Sequence, residues 1–183
     1  VAKAEPVEVA DSLRGSASSQ AICSPPFPLP LILPKRSMST SKPTSGSSSY
    51  TVYALSNKGS VTATESIAGG IIGYFSLGTP TTLSKSYNSA TVKSEYNAGG
   101  LIGKTDSPAA SLLINQCTTT NSSTVNSQNE AGGLVGRVYV NNAGSTTIKN
   151  CSSGTGSVVG TTNVGGLIGE IGCHKSGKVV ISN

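Results

Sequence analysis

The chain has 183 residues and a formal net charge of +5, with 11% charged and 4% aromatic residues and no tryptophan. A compact globular core of this length draws on Leu, Phe and Trp, whereas stacked β-coils have thin cores that Val, Ile, Ala and Gly can fill. The positive sign comes as much from a shortage of acids as from bases. Lys35-Arg36 is the one adjacent basic pair and no aromatic platform accompanies it, which argues against nucleic-acid binding.

Ser and Thr exceed a quarter of the residues, the hydroxyl-rich, charge-poor profile of secreted, extracellular or cell-surface chains. No run approaches the roughly 20 consecutive apolar residues of a membrane helix. The longest apolar region, Phe27 to Leu33, is broken by Pro28 and Pro30. A first residue of Val1 in place of Met reads as a processed or partial product.

Residues 1–49 form an arm of distinct composition. Val1 to Arg14 mixes acids with apolar residues and is compatible with a short helix. The proline run from Pro25 to Pro34 predicts an extended segment near polyproline II, read as a spacer or as a strip that lies along another surface. Residues 37–49, ending in Ser45-Gly46-Ser47-Ser48-Ser49, read as a linker.

From Tyr50 onward a glycine-rich hexapeptide recurs four times: Ala68-Gly69-Gly70-Ile71-Ile72-Gly73, Ala98-Gly99-Gly100-Leu101-Ile102-Gly103, Ala131-Gly132-Gly133-Leu134-Val135-Gly136 and Val164-Gly165-Gly166-Leu167-Ile168-Gly169. The first glycines lie 30, 33 and 33 residues apart, a period that implies stacked units. Each unit opens with a short alternating segment ending in Asn or Cys (Tyr53–Asn57, Ser84–Asn88, Leu113–Cys117, Thr147–Cys151). A second short strand follows, carried by Ser60-Val61-Thr62, Ala90-Thr91-Val92, Ser123-Thr124-Val125 and Gly156-Ser157-Val158. The hexapeptide makes a third, and no helical apolar period appears. The expectation is three strands per coil, with length variation confined to the loop after the hexapeptide. Within that third strand Gly132, Leu134 and Gly136 would share one face and Gly133 and Val135 the other. The glycines would serve close backbone approach or a bend with positive φ. None is followed by the Lys-Ser/Thr of a phosphate-binding loop.

This series, Asn-Cys or Tyr-Asn, then Gly/Ser-x-Val, then Gly-Gly-Leu-Ile/Val-Gly, resembles the GLUG-motif repeats of bacterial and protist cell-surface, adhesin-like proteins. The resemblance covers about residues 50–183. It implies a right-handed β-solenoid on an exported protein and carries over no catalytic residue. The predicted fold is therefore all-β: about four glycine-rich coils over 50–183, preceded by the arm over 1–49.

Candidate chemistry is sparse. Cys117 and Cys151 occupy equivalent places one rung, about 4.8 Å, apart. Flat stacking does not supply disulfide geometry, so both read as small core residues, with an inter-rung staple as the alternative. Cys23 and Cys173 are the remaining candidate pair. The only histidine, His174, adjoins Cys173, and no ligand set has zinc spacing. The carboxylates of the array are Glu65, Glu95, Asp106, Glu130 and Glu170. Glu65 and Glu95 each stand four residues before a first glycine and would stack as like charges. No catalytic, cofactor or metal site is expected.

Two N-glycosylation sequons occur, at Asn121 and at Asn150, the second placed against the core by its neighbour Cys151. Val179-Val180-Ile181-Ser182-Asn183 repeats the opening strand of a unit, so a further rung begins without a polar cap, read either as a fragment of a longer array or as a subunit junction that offers strand edges to another chain. The function expected is a non-enzymatic structural module acting through adhesion or head-to-tail assembly. The alternative is carbohydrate binding through exposed aromatics (Tyr50, Tyr53, Tyr74, Phe75, Tyr87, Tyr96, Tyr139). Ice binding is disfavoured because Thr62-Ala63-Thr64 has no counterpart in later units.

Overall fold

The computed structural model describes residues 49–107, 109–120 and 123–183. The helix expected over Val1–Arg14, the proline run, nearly all of the linker, Cys23 and Asn121 lie outside the described residues. No helix occurs among the described residues.

The chain is a parallel β-solenoid of about four turns. The first coil is β1 (Tyr50–Tyr53), β2 (Ser56–Asn57), β3 (Val61–Ala63), β4 (Ala68–Gly69) and β5 (Ile72–Ser76). The second is β6 (Thr81–Ser84), β7 (Tyr87–Asn88), β8 (Val92–Ser94), β9 (Asn97–Gly99) and β10 (Ile102–Ser107). The third is β11 (Ser111–Asn115), β12 (Thr118–Thr119), β13 (Thr124–Ser127), β14 (Glu130–Gly132) and β15 (Val135–Val140). The fourth is β16 (Ser145–Lys149), β17 (Ser152–Ser153), β18 (Ser157–Val159), β19 (Val164–Gly165) and β20 (Ile168–Cys173). Then β21 (Lys178–Ser182) opens a fifth turn. Corresponding strands stack into five sheets, A (β1, β6, β11, β16, β21) through E (β5, β10, β15, β20).

Each coil thus has five strands, not three. The opening segment bends between sheets A and B. At that corner Ala54, Lys85, Gln116 and Asn150 all take positive φ, between 50° and 54°. The left-handed region costs an L-residue about 1 kcal/mol or more. Each of these residues offsets that cost by donating its N–H to the coil above, at 3.0–3.1 Å, as in Ala54 to the Ser84 carbonyl.

The hexapeptide is a corner as well, turning from sheet D into sheet E at Gly133–Leu134 and its equivalents. This corrects the alternating two-face expectation: Leu134 and Val135 are both fully buried because the bend turns both inward. No described glycine has positive φ, so close approach alone explains the glycines. A Cβ on the first glycine would fall 1.8–2.0 Å from the carbonyl oxygen three residues on (Gly69, Gly99, Gly132, Gly165), inside the corner itself. On the second it would fall 2.0–2.2 Å from a carbonyl of the next coil (Gly70, Gly100, Gly133). On the third it would fall 2.5–2.6 Å from a carbonyl or side-chain carbon belonging to the coil before (Gly103, Gly136, Gly169).

The second glycine also receives a side chain from sheet B. A Cβ at Gly70, Gly100 or Gly133 would lie 2.5, 2.6 or 2.0 Å from Asn88, Thr119 or Ser153 respectively. Asn57 Nδ2 donates to Asn88 Oδ1 at 3.0 Å, continuing this polar ladder downward. Apolar residues pack on one side of the ladder in sheets C and D (Val92, Val125, Ala98, Ala131) and on the other in sheets A and E (Leu83, Ile114, Ile102, Val135). In-register columns such as Val52–Leu83–Ile114–Ile148–Ile181 build this core.

Length variation falls at three corners, not one. The loops between sheets E and A differ, as expected; by register, residues 154–157 separate Ser153 from Val158 at the corner between sheets B and C where 89–91 separate Asn88 from Val92, and 64–67 separate Ala63 from Ala68 at the corner between sheets C and D where 95–97 separate Ser94 from Ala98.

Candidate functional site

Among the described residues the solenoid has two ends, each a ring of strand edges with no further strand paired to them around an apolar interior. At the end formed by β17–β21, Val159, Val164, Ile171 and Ile181 are about half exposed. An open recess of about 360 Å³ is lined by Ile148, Cys151, Leu167, Ile181, Ser182 and Asn183. At the opposite end Val52, Ile71, Ile72 and Phe75 are only partly covered. The glycines mark the same asymmetry. A Cβ on Gly166 would meet nothing within 4 Å, and one on Gly73 only the Ile67 carbonyl at 3.3 Å, whereas their counterparts elsewhere in the stack are crowded.

Cys117 and Cys151 lie on adjacent rungs with free thiols, Cys117 buried and Cys151 half-buried at the recess. The Cys117 N–H points to Cys151 Sγ at 3.4 Å. A hydrogen bond from the Cys117 thiol, added to backbone donors, pulls Cys151 down to about 7. The same bond, together with burial, pushes Cys117 far up. Cys173 is exposed and free. His174 is exposed in the loop that follows, with Nδ1 3.2 Å from Asn141 Oδ1.

Glu65 and Glu95 share a rung position by the Ala68–Ala98 register, yet their backbones differ, Glu65 alone having positive φ. The carboxylates that do meet are Glu130 and Glu170. Arg137 Nη2 bridges to Glu170 at 3.1 Å, Asn163 Nδ2 donates to Glu170 at 3.3 Å, and Asn97 donates to Glu130. Burial, reinforced by the Glu170 carboxyl, raises Glu130, while Arg137 works against it. Sequence reasoning missed this cluster because the two residues stand on opposite sides of hexapeptides in successive units. A bend inside the hexapeptide is what folds those positions together.

Outside sheet E, Tyr74, Lys104, Arg137 and Glu170 form a column. The Lys104 ammonium sits 5.6 Å from the Tyr74 ring centre, and the Tyr74 hydroxyl is 3.4 Å from Asp106. Asn150 is exposed at its corner, correcting the expectation that Cys151 would hold it against the core; its Nδ2 donates to Asn115 Oδ1 at 3.3 Å. Among the described residues no group of three His, Cys, Asp or Glu is placed to hold a metal ion, and no helix is long and apolar enough to cross a membrane.

The class defined by these features is a parallel β-solenoid of about four turns. Compared with models of protein families, with curated proteins and with solved structures, the chain matches none of them.

Proposed function

We propose that this chain is a non-enzymatic structural module of a secreted or cell-surface protein, carrying GLUG-like repeats and working by end-to-end stacking of its coils. One observation carries the reading: Gly166 keeps the small residue that admits a neighbouring coil, although no coil of the described chain lies over it. The exposed Ile181 and Val164 beside it extend columns that are otherwise buried. Burying apolar surface at about 25 cal/mol per Å² and pairing open strand edges both favour a further coil there. A heterologous contact of this kind repeats without closing and gives filaments. Sedimentation velocity and negative-stain microscopy across a concentration series test it. Growth of rods is the expected result, and particles that stay monomeric at high concentration contradict it.

A second reading, a carbohydrate-binding surface, is favoured by Tyr74, 50% exposed and flanked by Lys104 and Asp106 on the outer face of sheet E. A glycan array separates the two: binding lost in Tyr74→Ala would support this surface, and no binding to any glycan would remove it.

A further inference from the structure

Sheet E carries a second outward column beside the one that runs from Tyr74 to Glu170. In register it reads Ser76, Asp106, Tyr139 and Gly172. Thr105 and Val138, which stand between the two columns, are fully buried, so the residues on either side of them face outward. The columns lie about 7 Å apart along the strands, and successive rungs about 4.8 Å apart across them.

Two tyrosines share this face, and both lie along it. A Cβ on Gly172 would fall 2.9 Å from Tyr139 Cδ2 and 3.5 Å from its Cε2. Gly172 is one rung, about 4.8 Å, away from the Tyr139 backbone. The Tyr139 ring therefore leans sideways over the glycine and takes the room that a side chain there would need. Tyr74 leans the same way. Its hydroxyl lies 3.4 Å from Asp106 and its ring centre 5.6 Å from the Lys104 ammonium, both on the following rung. A ring laid along a sheet keeps one face against the protein and turns the other to solvent. The two tyrosines are offset by two rungs and two residues, a diagonal of about 12 Å. Asp106 stands on the rung between them.

Charge on this face cancels, Lys104 and Arg137 against Asp106 and Glu170, and Arg137 is already bridged to Glu170 at 3.1 Å. A nucleic acid or an anionic polysaccharide gains no net attraction from it. The core of a protein interface is depleted of charged residues, whereas half of the outward positions here ionise and none is aliphatic. A neutral sugar suits both properties. Its apolar C–H face stacks on an aromatic ring, and its rim hydroxyls donate to carboxylates and accept from ammonium or guanidinium groups.

We propose that the outer face of sheet E binds a linear neutral oligosaccharide, laid diagonally from Tyr74 in the first coil to Tyr139 in the third, with Asp106 and Arg137 taking its hydroxyls. This rests on the carbohydrate-binding reading above and adds the second platform, the direction of the chain and the class of glycan. Gly172 is a positioning residue: it touches no sugar, and its missing side chain is what lets Tyr139 lie down. A site at Tyr74 alone would hold one sugar unit and gain nothing from a longer chain. Two platforms gain once the chain reaches both, because the second contact is then intramolecular.

The experiment is a glycan array followed by isothermal titration calorimetry of the full chain. The probes are cello-, xylo-, manno- and chito-oligosaccharides from mono- to hexasaccharide, with polygalacturonate as the anionic comparison. The proteins are the parent, Tyr139→Ala, Tyr139→Phe and Gly172→Val. In the parent, affinity should rise at least about tenfold from the monosaccharide to the longer members of the series it binds. Tyr139→Ala and Gly172→Val should lose that rise and keep the weak monosaccharide binding. Tyr139→Phe, which keeps the ring, should stay within about threefold of the parent. If Gly172→Val melts below the parent, the contrast between Tyr139→Ala and Tyr139→Phe decides. Affinity that ignores chain length and Tyr139 but is lost in Tyr74→Ala overturns the diagonal site and leaves the Tyr74 reading standing. Tighter binding of polygalacturonate than of any neutral probe overturns the class of glycan. Self-association that disappears in Tyr139→Ala, with no glycan bound, makes this face a protein contact and overturns the proposal. Binding to no glycan overturns the carbohydrate reading, and the diagonal site with it.

Discussion

Thr105 and Thr146 are fully buried in the lumen, and among the described residues their hydroxyls have no hydrogen-bond partner. Thr105 sits in a column with Phe75, Val138 and Ile171, where a methyl in place of the hydroxyl keeps the shape. An orphaned buried hydroxyl costs about 1–3 kcal/mol, so Thr105→Val is expected to stabilise the chain by about 1 kcal/mol, read from urea unfolding. The raised Glu130 carboxyl gives a pH signature. Its ionised form is the one penalised in the folded chain, so the stability it contributes in acid is lost as pH climbs through its raised value. Glu130→Gln is therefore expected to melt a few degrees higher than the parent at neutral pH, with the two melting curves converging below the ordinary carboxylate range. At Cys151, peptide-mapped alkylation with iodoacetamide should rise with a midpoint of about 7. Cys117→Ala removes the thiol donor and should move that midpoint upward, and an unmoved midpoint would refute the donor role.

At the scale of the element, the hexapeptide is a corner whose three glycines have three different neighbours. A side chain at Gly133 runs into the Gly166 carbonyl and the Ser153 hydroxyl, both at 2.0 Å from its Cβ, and the carbonyl, being backbone, cannot retreat without parting two coils. Gly133→Val is expected to cost upwards of about 4 kcal/mol, the range of severe core defects. A Cβ at Gly166 has nothing within 4 Å, so Gly166→Val should melt as the parent does. Sequence reading reached the steric role of these glycines and allowed a bend only through positive φ, which none of the described glycines takes, while it set the segment's side chains on two alternating faces. Alternation cannot reveal a bend in which Leu134 and Val135 both turn inward. The sheet A–B corners were hidden for a related reason: Ala54, Lys85 and Gln116 are not residues that announce positive φ, and only stacking, which gives each N–H a partner on the next coil, holds them there.

For the whole molecule, the period of the hexapeptide made the coils and their number legible, because each copy marks one passage of the chain past the same corner. Strands of two residues, such as Ser56–Asn57 and Thr118–Thr119, were not legible. They exist only as rungs of a ladder and have no pattern of their own. The Glu130–Glu170 cluster was equally out of reach without the register. The Ile181 column, by contrast, was visible as a repeated opening strand, and in the proposed assembly it is what a further coil would cover. The proposed assembly turns on that end, and Gly166 isolates it: a Cβ there has nothing within 4 Å in the single chain, whereas a coil laid over it would crowd it as the next coil crowds Gly133. Sedimentation velocity of the parent and Gly166→Val at matched concentration is the most direct measurement. Assembly by the parent with a monomeric variant of unchanged melting temperature is the predicted result. Equal assembly by both would contradict the account.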